Sequence, residues 1–521
     1  VLLVAIAYLA YDKFILDPER DAALIKDLEQ TVVEQAPAAS QAVAEPGADA
    51  ASIAVLPFAD LSPAGDQEYF SDGIAEEILN VLVGVEGLHV TSRTSSFQFK
   101  DGDLGIPDIA RSLKVRHVVE GSVRKSGETI RVTAQLIDAD NDRHLWSETY
   151  DRPLTAENIF AIQDEIANSS VEALSNTLGV GDLEVGEVEA TTKNLTAYEL
   201  FLQARPLFLA RVNLDVADNL LEQALEQDPG YAEAWEMRAA LQALKVNYGY
   251  SKIPIEQAER EGLEFAQRAL EIDPRSAMAL AVIARARGDS AEGLRSKDDI
   301  AEIIVLFDQA LEISPRNASA LNWRGLRFML VGDLEKALND FATCMQYEPY
   351  YVPCTENHFL TLGLMGRDKE SLDAYLTALN LSTTKAEYAH FAGLARLGEE
   401  LLFKALTNDA SVLRGWRRHD ELWNAYRNPG QDYGELIESI RLHTESHGQL
   451  VKEDFEYLVH PLGNDWRIPS RLMLWDASMK HYRQSKAFKS YIREAGVFAY
   501  WRQVGFPPQC RPVGQDDFEC K

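Results

Sequence analysis

A short segment recurs along the second half of the chain and constrains its fold more than any other feature. It reads ALEQDP from residue 224, ALEIDP from 269, ALEISP from 310 and CMQYEP from 344, and Ala378 continues the series. The steps are 45, 41, 34 and 34 residues. A small residue lets two helices approach closely and proline ends a helix, so each segment predicts the end of a helix pair. Because one pair cannot bury its apolar face alone, the pairs are predicted to stack on one continuous core.

A step of 34 residues is the period of the tetratricopeptide repeat, so residues 196–383 are predicted to form an α-solenoid of five helix pairs. The two longer steps place insertions inside their repeats, near 247–257 and 288–299. The first helices should line a concave groove, and such grooves generally hold a peptide or a segment of another protein. The alternative for each groove residue is that it only packs against the next repeat or faces water. The groove-facing candidates are Glu236, Met237, Asn322, Trp323, Glu356 and Asn357.

Residues 52–180 carry a mixed pattern that predicts a compact α/β domain. Two strand-like runs alternate with two stretches of helical periodicity, and three closely spaced strands then precede a long helix. Residues 130–136 alternate between apolar and polar side chains, as a half-buried strand does. The order β-α-β-α-β-β-β-α indicates one largely antiparallel sheet. With residues 181–195 as a linker, the chain is predicted to be multidomain, α/β followed by all-α.

Four segments of this domain carry a further signal: SIAVLPFADLSPAGDQEYFSDGIAEEIL, TSRTSSFQFK, HVVEGSVRKSGETIRVTAQLIDADNDRHLWSETYDR and IFAIQDEIA. Together, over about residues 52–175, they resemble the TolB-like amino-terminal domain of bacterial membrane-anchored proteins. In that family the domain typically precedes tetratricopeptide repeats, and it can follow a nucleotide cyclase, a kinase or a winged-helix DNA-binding domain. The resemblance implies no catalytic activity for the domain itself.

The first eleven residues, VLLVAIAYLAY, carry no charge. Eleven helical residues span roughly 16 Å, about half of a bilayer's hydrocarbon core, so residues 1–16 are interpreted as the C-terminal part of a truncated transmembrane helix. A buried helix of a soluble protein is the alternative. Residues 17–51 are predicted to be a juxtamembrane segment and flexible linker, because residues 31–51 are rich in Ala, Pro, Gln and Glu. Eight acidic and two basic residues between 17 and 49 oppose the usual bias of cytoplasmic loops.

Four cysteines in two local pairs predict disulfide bonds. Cys344 and Cys354 are ten residues apart, and so are Cys510 and Cys520. An even count in local pairs suits an oxidising compartment, although buried free thiols are the alternative. Together with the acidic linker, this predicts a bacterial inner-membrane protein whose bulk is periplasmic. Neither pair has the CxxC spacing of a zinc site, so no metal and no other cofactor is predicted.

The acidic residues in YFSDGIAEEILNVL, residues 69–82, raise the question of catalysis. A catalytic pair needs neighbours that separate the pKa values of its two carboxyl groups, and none lies near Asp72, Glu76 or Glu77 in sequence. We therefore expect these residues to begin a helix, with Ser71 or Asp72 as N-cap. The sequence contains no P-loop, GxGxxG, GxSxG or kinase motif. No catalytic residue is assigned, and the chain is predicted not to be an enzyme.

Residues 384–521 are rich in tryptophan and tyrosine and are predicted to form a helical cap on the solenoid. The net charge of −31 repels phosphate backbones, which disfavours nucleic-acid binding by this portion. The first functional hypothesis is a non-catalytic, membrane-tethered periplasmic scaffold that binds protein or peptide partners through the groove and the TolB-like domain. The second is the periplasmic sensory half of a transmembrane signalling regulator whose N-terminal part carries a winged-helix or nucleotide-cyclase domain. Both leave the oligomeric state open.

Overall fold

The structure is a computed structural model of the 521-residue chain. It describes residues 49–85, 87–100, 104–178, 192–288, 300–348, 351–378, 393–409, 413, 415–428, 431–446, 459, 462 and 474–521. The transmembrane interpretation of residues 1–16 falls outside this part, as does most of both predicted linkers. In the part of the chain that the structure describes, no helix combines the length and apolar character needed to cross a bilayer.

The described part of the α/β domain contains a six-stranded sheet. Its strands are β1 (Asp49–Val55), β2 (Ala59–Asp60), β3 (His89–Val90), β4 (Val115–Ser126), β5 (Thr129–Asp138) and β6 (Arg143–Pro153). Its helices are α1 (Glu68–Val83), α2 (Arg93–Phe97), α3 (Ile106–Leu113) and α4 (Ala156–Leu178). The strand order is β3-β1-β4-β5-β6, with β2 beside β4.

The sheet is mixed, rather than largely antiparallel as the sequence suggested. Strand β1 pairs in parallel with both β3 and β4, whereas the β4–β5 and β5–β6 pairs are antiparallel. The parallel pair of β1 and β3 follows from the helical crossover through α1. The antiparallel ladders are the long ones, with ten residue pairs each, because short turns connect β4, β5 and β6.

The alternation predicted for residues 130–136 gives the sheet its main buried face. Helices α1 and α4 cover this face, and the shorter α3 covers part of the other. The fully buried side chains of the main layer are Val119, Val123, Val132, Ala134 and Leu136 from the sheet, with Ile74, Ile78, Ile159, Ile162 and Ile166 from the helices.

Five helix pairs follow, as the repeat spacing predicts. They are α5 (Leu195–Ala210) with α6 (Leu214–Gln227), α7 (Ala232–Asn247) with α8 (Ile255–Ile272), α9 (Ala277–Gly288) with α10 (Ile300–Ile313), α11 (Ala318–Val331) with α12 (Leu334–Tyr347), and α13 (Val352–Leu364) with α14 (Asp368–Ala378). The first helix of each pair contacts the first helix of the next. The repeated Ala224, Ala269 and Ala310 are fully buried, as close helix packing requires. The described part of the chain is therefore mostly helical, with a helical repeat solenoid that follows a smaller sheet domain.

One of the two predicted insertions is visible, because residues 248–254 separate α7 from α8. Most of the other insertion lies outside the described residues. Both predicted disulfides are present: Cys344–Cys354 joins α12 to α13 across a repeat boundary, and Cys510–Cys520 closes the C-terminal end.

The C-terminal region caps the solenoid in two places. Its described helices are α15 (Glu400–Asp409), α16 (His419–Arg427), α17 (Gly434–Ser446), α18 (Lys480–Arg483), α19 (Lys486–Glu494) and α20 (Val497–Val504). Residues of α15 to α17 pack on the last helix pair, as a cap should. The final segment returns to α11, where the indole N–H of Trp501 donates to the carbonyl oxygen of Val331 at 2.8 Å. The region ends in a hairpin of β7 (Cys510–Val513) and β8 (Asp517–Cys520), which the purely helical prediction missed.

Candidate functional site

Helix α1, which carries the acidic residues in question, begins at Glu68 with Gln67 as N-cap. The prediction that Ser71 or Asp72 starts it is therefore wrong. The carboxylate of Asp60 accepts two backbone N–H groups at 2.8 Å, one of them from Gln67. These bonds fix the turn before α1, so the helix starts earlier than the local capping signal in the sequence indicates.

Two of the acidic residues on α1 bind basic side chains within the α/β domain. The Lys100 ammonium lies 2.6 Å from the carboxylate of Asp72, and the Arg93 guanidinium lies 2.9 Å from that of Glu76. Burial raises the pKa of Asp72, and the Lys100 charge opposes that rise. The ion pair with Lys100 favours the ionised form of the Asp72 carboxyl group.

The third basic partner comes from the solenoid. Arg205 on α5 places Nη2 3.0 Å from Glu76 and Nη1 2.5 Å from Glu77. Burial disfavours its charge, but the two carboxylates outweigh that effect and raise the pKa of Arg205. Beside these pairs α1 and α5 approach closely, because a Cβ on Gly73 would lie 2.6 Å from Leu202. The carboxylates of α1 therefore dock the α/β domain on the first repeat.

Arg205 is the residue that sequence reasoning missed. Its local signal is weak: a single arginine in the largely apolar helix LTAYELFLQARPLFLA, which also carries Glu199. An arginine in such a helix indicates a buried partner, but its partner Glu77 lies 128 residues away in sequence. Only the docking of the two units brings them together.

A cavity of about 310 Å³ lies at this junction, with walls from α1, α4, α5, α7 and α9. One wall is aromatic. The rings of Phe160 and Tyr198 have centroids 5.0 Å apart, and those of Phe201 and Tyr231 are 5.1 Å apart. The side-chain amide of Gln163 donates to the Tyr198 hydroxyl at 3.1 Å, which satisfies that buried group. These contacts hold the aromatic wall in a fixed shape.

The charged residues of the lining are mostly acidic, with Glu77, Glu233 and Glu236 beside the single basic residue Arg205. Burial raises the pKa of Glu236 to about 7, and the nearby charge of Asp273 adds to the rise. A hydrogen bond from the Ser276 hydroxyl and one from a backbone N–H oppose it in part. At neutral pH this carboxyl group is therefore protonated in part of the molecules and ionised in the rest.

Five of the six groove candidates fall into two sets. Glu236 and Met237, on α7, line the cavity. Asn322, Trp323 and Asn357 make contacts between repeats: the Asn357 amide donates to Asn322 at 2.8 Å, and the Arg285 guanidinium lies 5.3 Å from the centre of the Trp323 ring. Asn322 and Trp323 are also buried.

The sixth candidate, Glu356, is partly exposed on α13. The concave face near it is bridged, because Arg211 of the first pair contacts Tyr351 of the fifth. The expected open trough is therefore closed at this point. A binding role for the groove residues stays a prediction.

The junction combines ion pairs with an aromatic wall. Asp72, Glu76 and Glu77 each contact a basic side chain. Among the residues that the structure describes, no group of three or more His, Cys, Asp and Glu side chains could hold a metal ion. An aromatic wall facing carboxyl groups can bind and orient a ligand.

Residues 49–169 match the family model described as the HilA/YgeH-like transcriptional regulator, second domain. This match covers the α/β domain; its TolB-like character remains a resemblance. A segment of 185 residues is 43% identical to the protein called "Putative adenylate cyclase 3" of Rhizobium meliloti (strain 1021). The segment is 35% of this chain and 31% of that relative, so the chain spans about a third of the relative's length.

Three solved structures show helical similarity. A thermophilic TPR protein, TTC0263 of Thermus thermophilus, has a TM-score of 0.30 and 20% identity over 40% of this chain and 99% of its own. PilW, a type IV pilus biogenesis factor, has a TM-score of 0.33 and 19% identity over 44% of this chain and 98% of its own. A tetratricopeptide repeat protein from Parabacteroides merdae ATCC 43184 has a TM-score of 0.31 and 15% identity over 52% of this chain and 99% of its own. The repeat architecture of this chain is defined by its own five helix pairs.

Proposed function

We propose that this chain is a non-catalytic interaction module that binds a protein or peptide partner at the junction of the α/β domain and the first repeats. The observation that carries the proposal is the junction cavity, which both units build and which aromatic and carboxyl groups line. Aromatic side chains favour recognition because they bury large areas while losing few rotamers. A partner that fills the cavity would touch both units at once.

Site-specific photo-crosslinking in the native host tests this proposal. A photoreactive phenylalanine analogue replaces Met278, which lines the cavity, in the full chain. The matched control replaces Val305, a solvent-exposed position on α10. We expect reproducible protein adducts from position 278 that are absent from position 305. Adducts at neither position, or equal adducts at both, would count against a partner site at the junction.

The proposed location is the periplasmic side of a bacterial inner membrane. Two disulfides support it, because such bonds persist in oxidising compartments. The acidic segment that precedes the α/β domain supports it as well. Fusion of alkaline phosphatase or of β-galactosidase after residue 521 tests it. We expect the phosphatase fusion alone to be active, and the opposite result would place the domain in the cytoplasm.

A second candidate function is the sensory half of a signalling regulator. Two comparisons favour it: the family model of the α/β domain is described as a transcriptional regulator, and a relative carries the name of a cyclase. In this role partner binding would alter an output domain elsewhere in the protein. The reading frame upstream of Val1 tests the idea first. An encoded cyclase or winged-helix domain, with an output that changes in Arg205→Met, would support it, and an unchanged output would contradict it.

A further inference from the structure

The junction cavity carries a second inference, about the chemistry of what it binds, and this inference rests on the proposed function. The cavity is partly open to solvent and has a volume of about 310 Å³. That volume lies at the lower end of the range of about 300–1,000 Å³ for small-ligand sites. It suits one long side chain rather than a whole helix or strand.

The charges of the lining are unbalanced. The guanidinium of Arg205 is already shared between Glu77 in the lining and Glu76 beside it, so it does not neutralise Glu236. The groups that act on Glu236 are the Ser276 hydroxyl, a backbone N–H and the acidic Asp273, and none of them is a cation. The cavity is therefore a site of negative potential in a poorly solvated place.

The aromatic wall also favours a positively charged ligand. Ring faces attract an ammonium or guanidinium group within about 6 Å, and the attraction increases when the site excludes water. The chain already makes such contacts nearby, since the Arg205 guanidinium lies 5.9 Å from the centre of the Phe201 ring. An anion would instead meet carboxylates, and a neutral apolar group would bury Glu236 without satisfying its charge.

From this combination of shape, charge and aromatic surface, we infer that the junction cavity binds the cationic end of an arginine or lysine side chain carried by the partner. The methylene stem of such a side chain would lie along Phe201, Phe208 and Tyr231. Its charged end would reach Glu236 and Glu233 on α7. The partner's basic side chain would act as the anchor, and the adjoining first repeats would contact the rest of the segment.

Titration of the full chain with a matched pair of probes tests the inference. The probes are N-acetyl-arginine amide and its neutral isostere, N-acetyl-citrulline amide, followed by calorimetry or by NMR. We expect the arginine probe to bind about tenfold more tightly, because only its guanidinium adds a positive charge to the hydrogen bonds with a carboxylate. n-Butylguanidine carries the same single guanidinium charge without peptide groups. Tighter binding of n-butylguanidine than of the peptide probe would overturn the assignment to a partner's side chain.

Two variants test whether the arginine probe binds in the junction cavity. Glu236→Gln keeps the shape of the side chain and is expected to weaken arginine binding about tenfold, with unchanged binding of citrulline. Glu226→Gln is the control, since Glu226 is exposed on α6 outside the cavity lining. Equal affinity for both probes, or equal loss in both variants, would overturn the inference. If photo-crosslinking from position 278 still captures a partner in Glu236→Gln at unchanged yield, the interaction module stands and the cationic anchor is refuted.

Discussion

Arg211 and Tyr351 lie 140 residues apart, yet Nη2 of the arginine donates to the tyrosine hydroxyl at 2.7 Å. The arginine follows α5 in the first helix pair, and the tyrosine is the N-cap of α13 in the fifth. Stacked pairs that far apart meet only when the stack curls back toward itself. The same hydroxyl lies 3.3 Å from the Ser319 hydroxyl at the start of α11, so three inner helices converge on it.

Tyr351→Phe tests what this contact contributes. The change removes the hydroxyl and leaves one N–H group of a buried guanidinium without its acceptor. We expect a loss of about 1–3 kcal/mol in the free energy of unfolding of the solenoid, measured from the urea midpoint. The control is Tyr250→Phe in the exposed loop after α7, which should stay within about 0.5 kcal/mol. Equal urea midpoints for the two variants would show that the hydrogen bond between Arg211 and Tyr351 does not stabilise the solenoid.

Arg205→Met tests the docking of the α/β domain on the first repeat. Methionine fills similar space but leaves Glu77 without this cation and leaves Glu76 with Arg93 alone. Breaking a largely buried ion pair costs about 3–5 kcal/mol, and we expect the lower end because Arg205 keeps 19% of its side chain exposed. Hydrogen exchange should rise in both α1 and α5.

The control for that variant is Arg268→Met on α8. Arg268 pairs with Glu271 one turn along the same exposed helix surface, at 2.6 Å. Such pairs contribute about 0.3–0.5 kcal/mol, so exchange in α1 and α5 should not change. If both methionine variants behave alike, the junction ion pairs do not hold the two units together.

The raised pKa of Glu236 should make the stability of the folded chain depend on pH. Its pKa is raised from 4.5 to about 7 in the folded chain, so between those values the folded chain holds a proton that the unfolded chain has released. Stability from this group is fully present below about pH 4.5 and is lost as pH rises toward 7. The charged group that acts on it from outside α7 is Asp273, and Glu77 and Arg205 line the same cavity.

Glu236→Gln cannot titrate and isolates that contribution from all others. We expect the variant to match the parent chain near pH 5 and to exceed its melting temperature near pH 8, where the parent carries the desolvated charge. Glu264→Gln, at an exposed position on α8, should follow the parent at both pH values. A constant difference between Glu236→Gln and the parent from pH 5 to 8 would show that the folded-state pKa is not raised.

The repeats and the disulfides were predictable because their signals are local. A period of 34 residues, a small residue at Ala310 and ten-residue cysteine spacings each describe neighbours along the chain. The junction was not predictable in the same way. The pairing of Arg205 with Glu77, and the bridge from Arg211, depend on how whole units dock and how far the solenoid curls.

The groove prediction shows the same limit within a single helix. Asn322 and Trp323 lie on a first helix, as the repeat register predicted, yet both are buried in contacts with adjacent repeats. Register fixes which helix carries a residue, whereas the direction of its side chain depends on rotation within the stack. On α7 the register did identify Glu236 and Met237, which line the cavity.

The terminal disulfide predicts a measurable loss when it is absent. Cys510 and Cys520 join β7 to β8, and the hairpin packs Phe518 against Trp501 with ring centroids 5.3 Å apart. Closing a loop of this length contributes about 2–3 kcal/mol in the chain-entropy model. The double Cys→Ser variant at 510 and 520 should therefore melt earlier, and proteolysis should begin within residues 505–521. A melting curve identical to that of the oxidised parent would contradict this role.

Gly325→Ala is expected to destabilise the fourth repeat, although alanine ordinarily favours a helix over glycine. A Cβ at Gly325 would lie 2.5 Å from Cε1 of Phe341, and that ring is fully buried between α11 and α12. Neither helix can move without disturbing its neighbours, so the cost should be about 1–3 kcal/mol. Gly363→Ala on α13 is the matched control, because its Cβ would meet only the Ser371 hydroxyl, at 3.4 Å. It should be neutral or stabilising by up to about 1 kcal/mol, so urea midpoints that move in the same direction for both variants would refute the steric explanation.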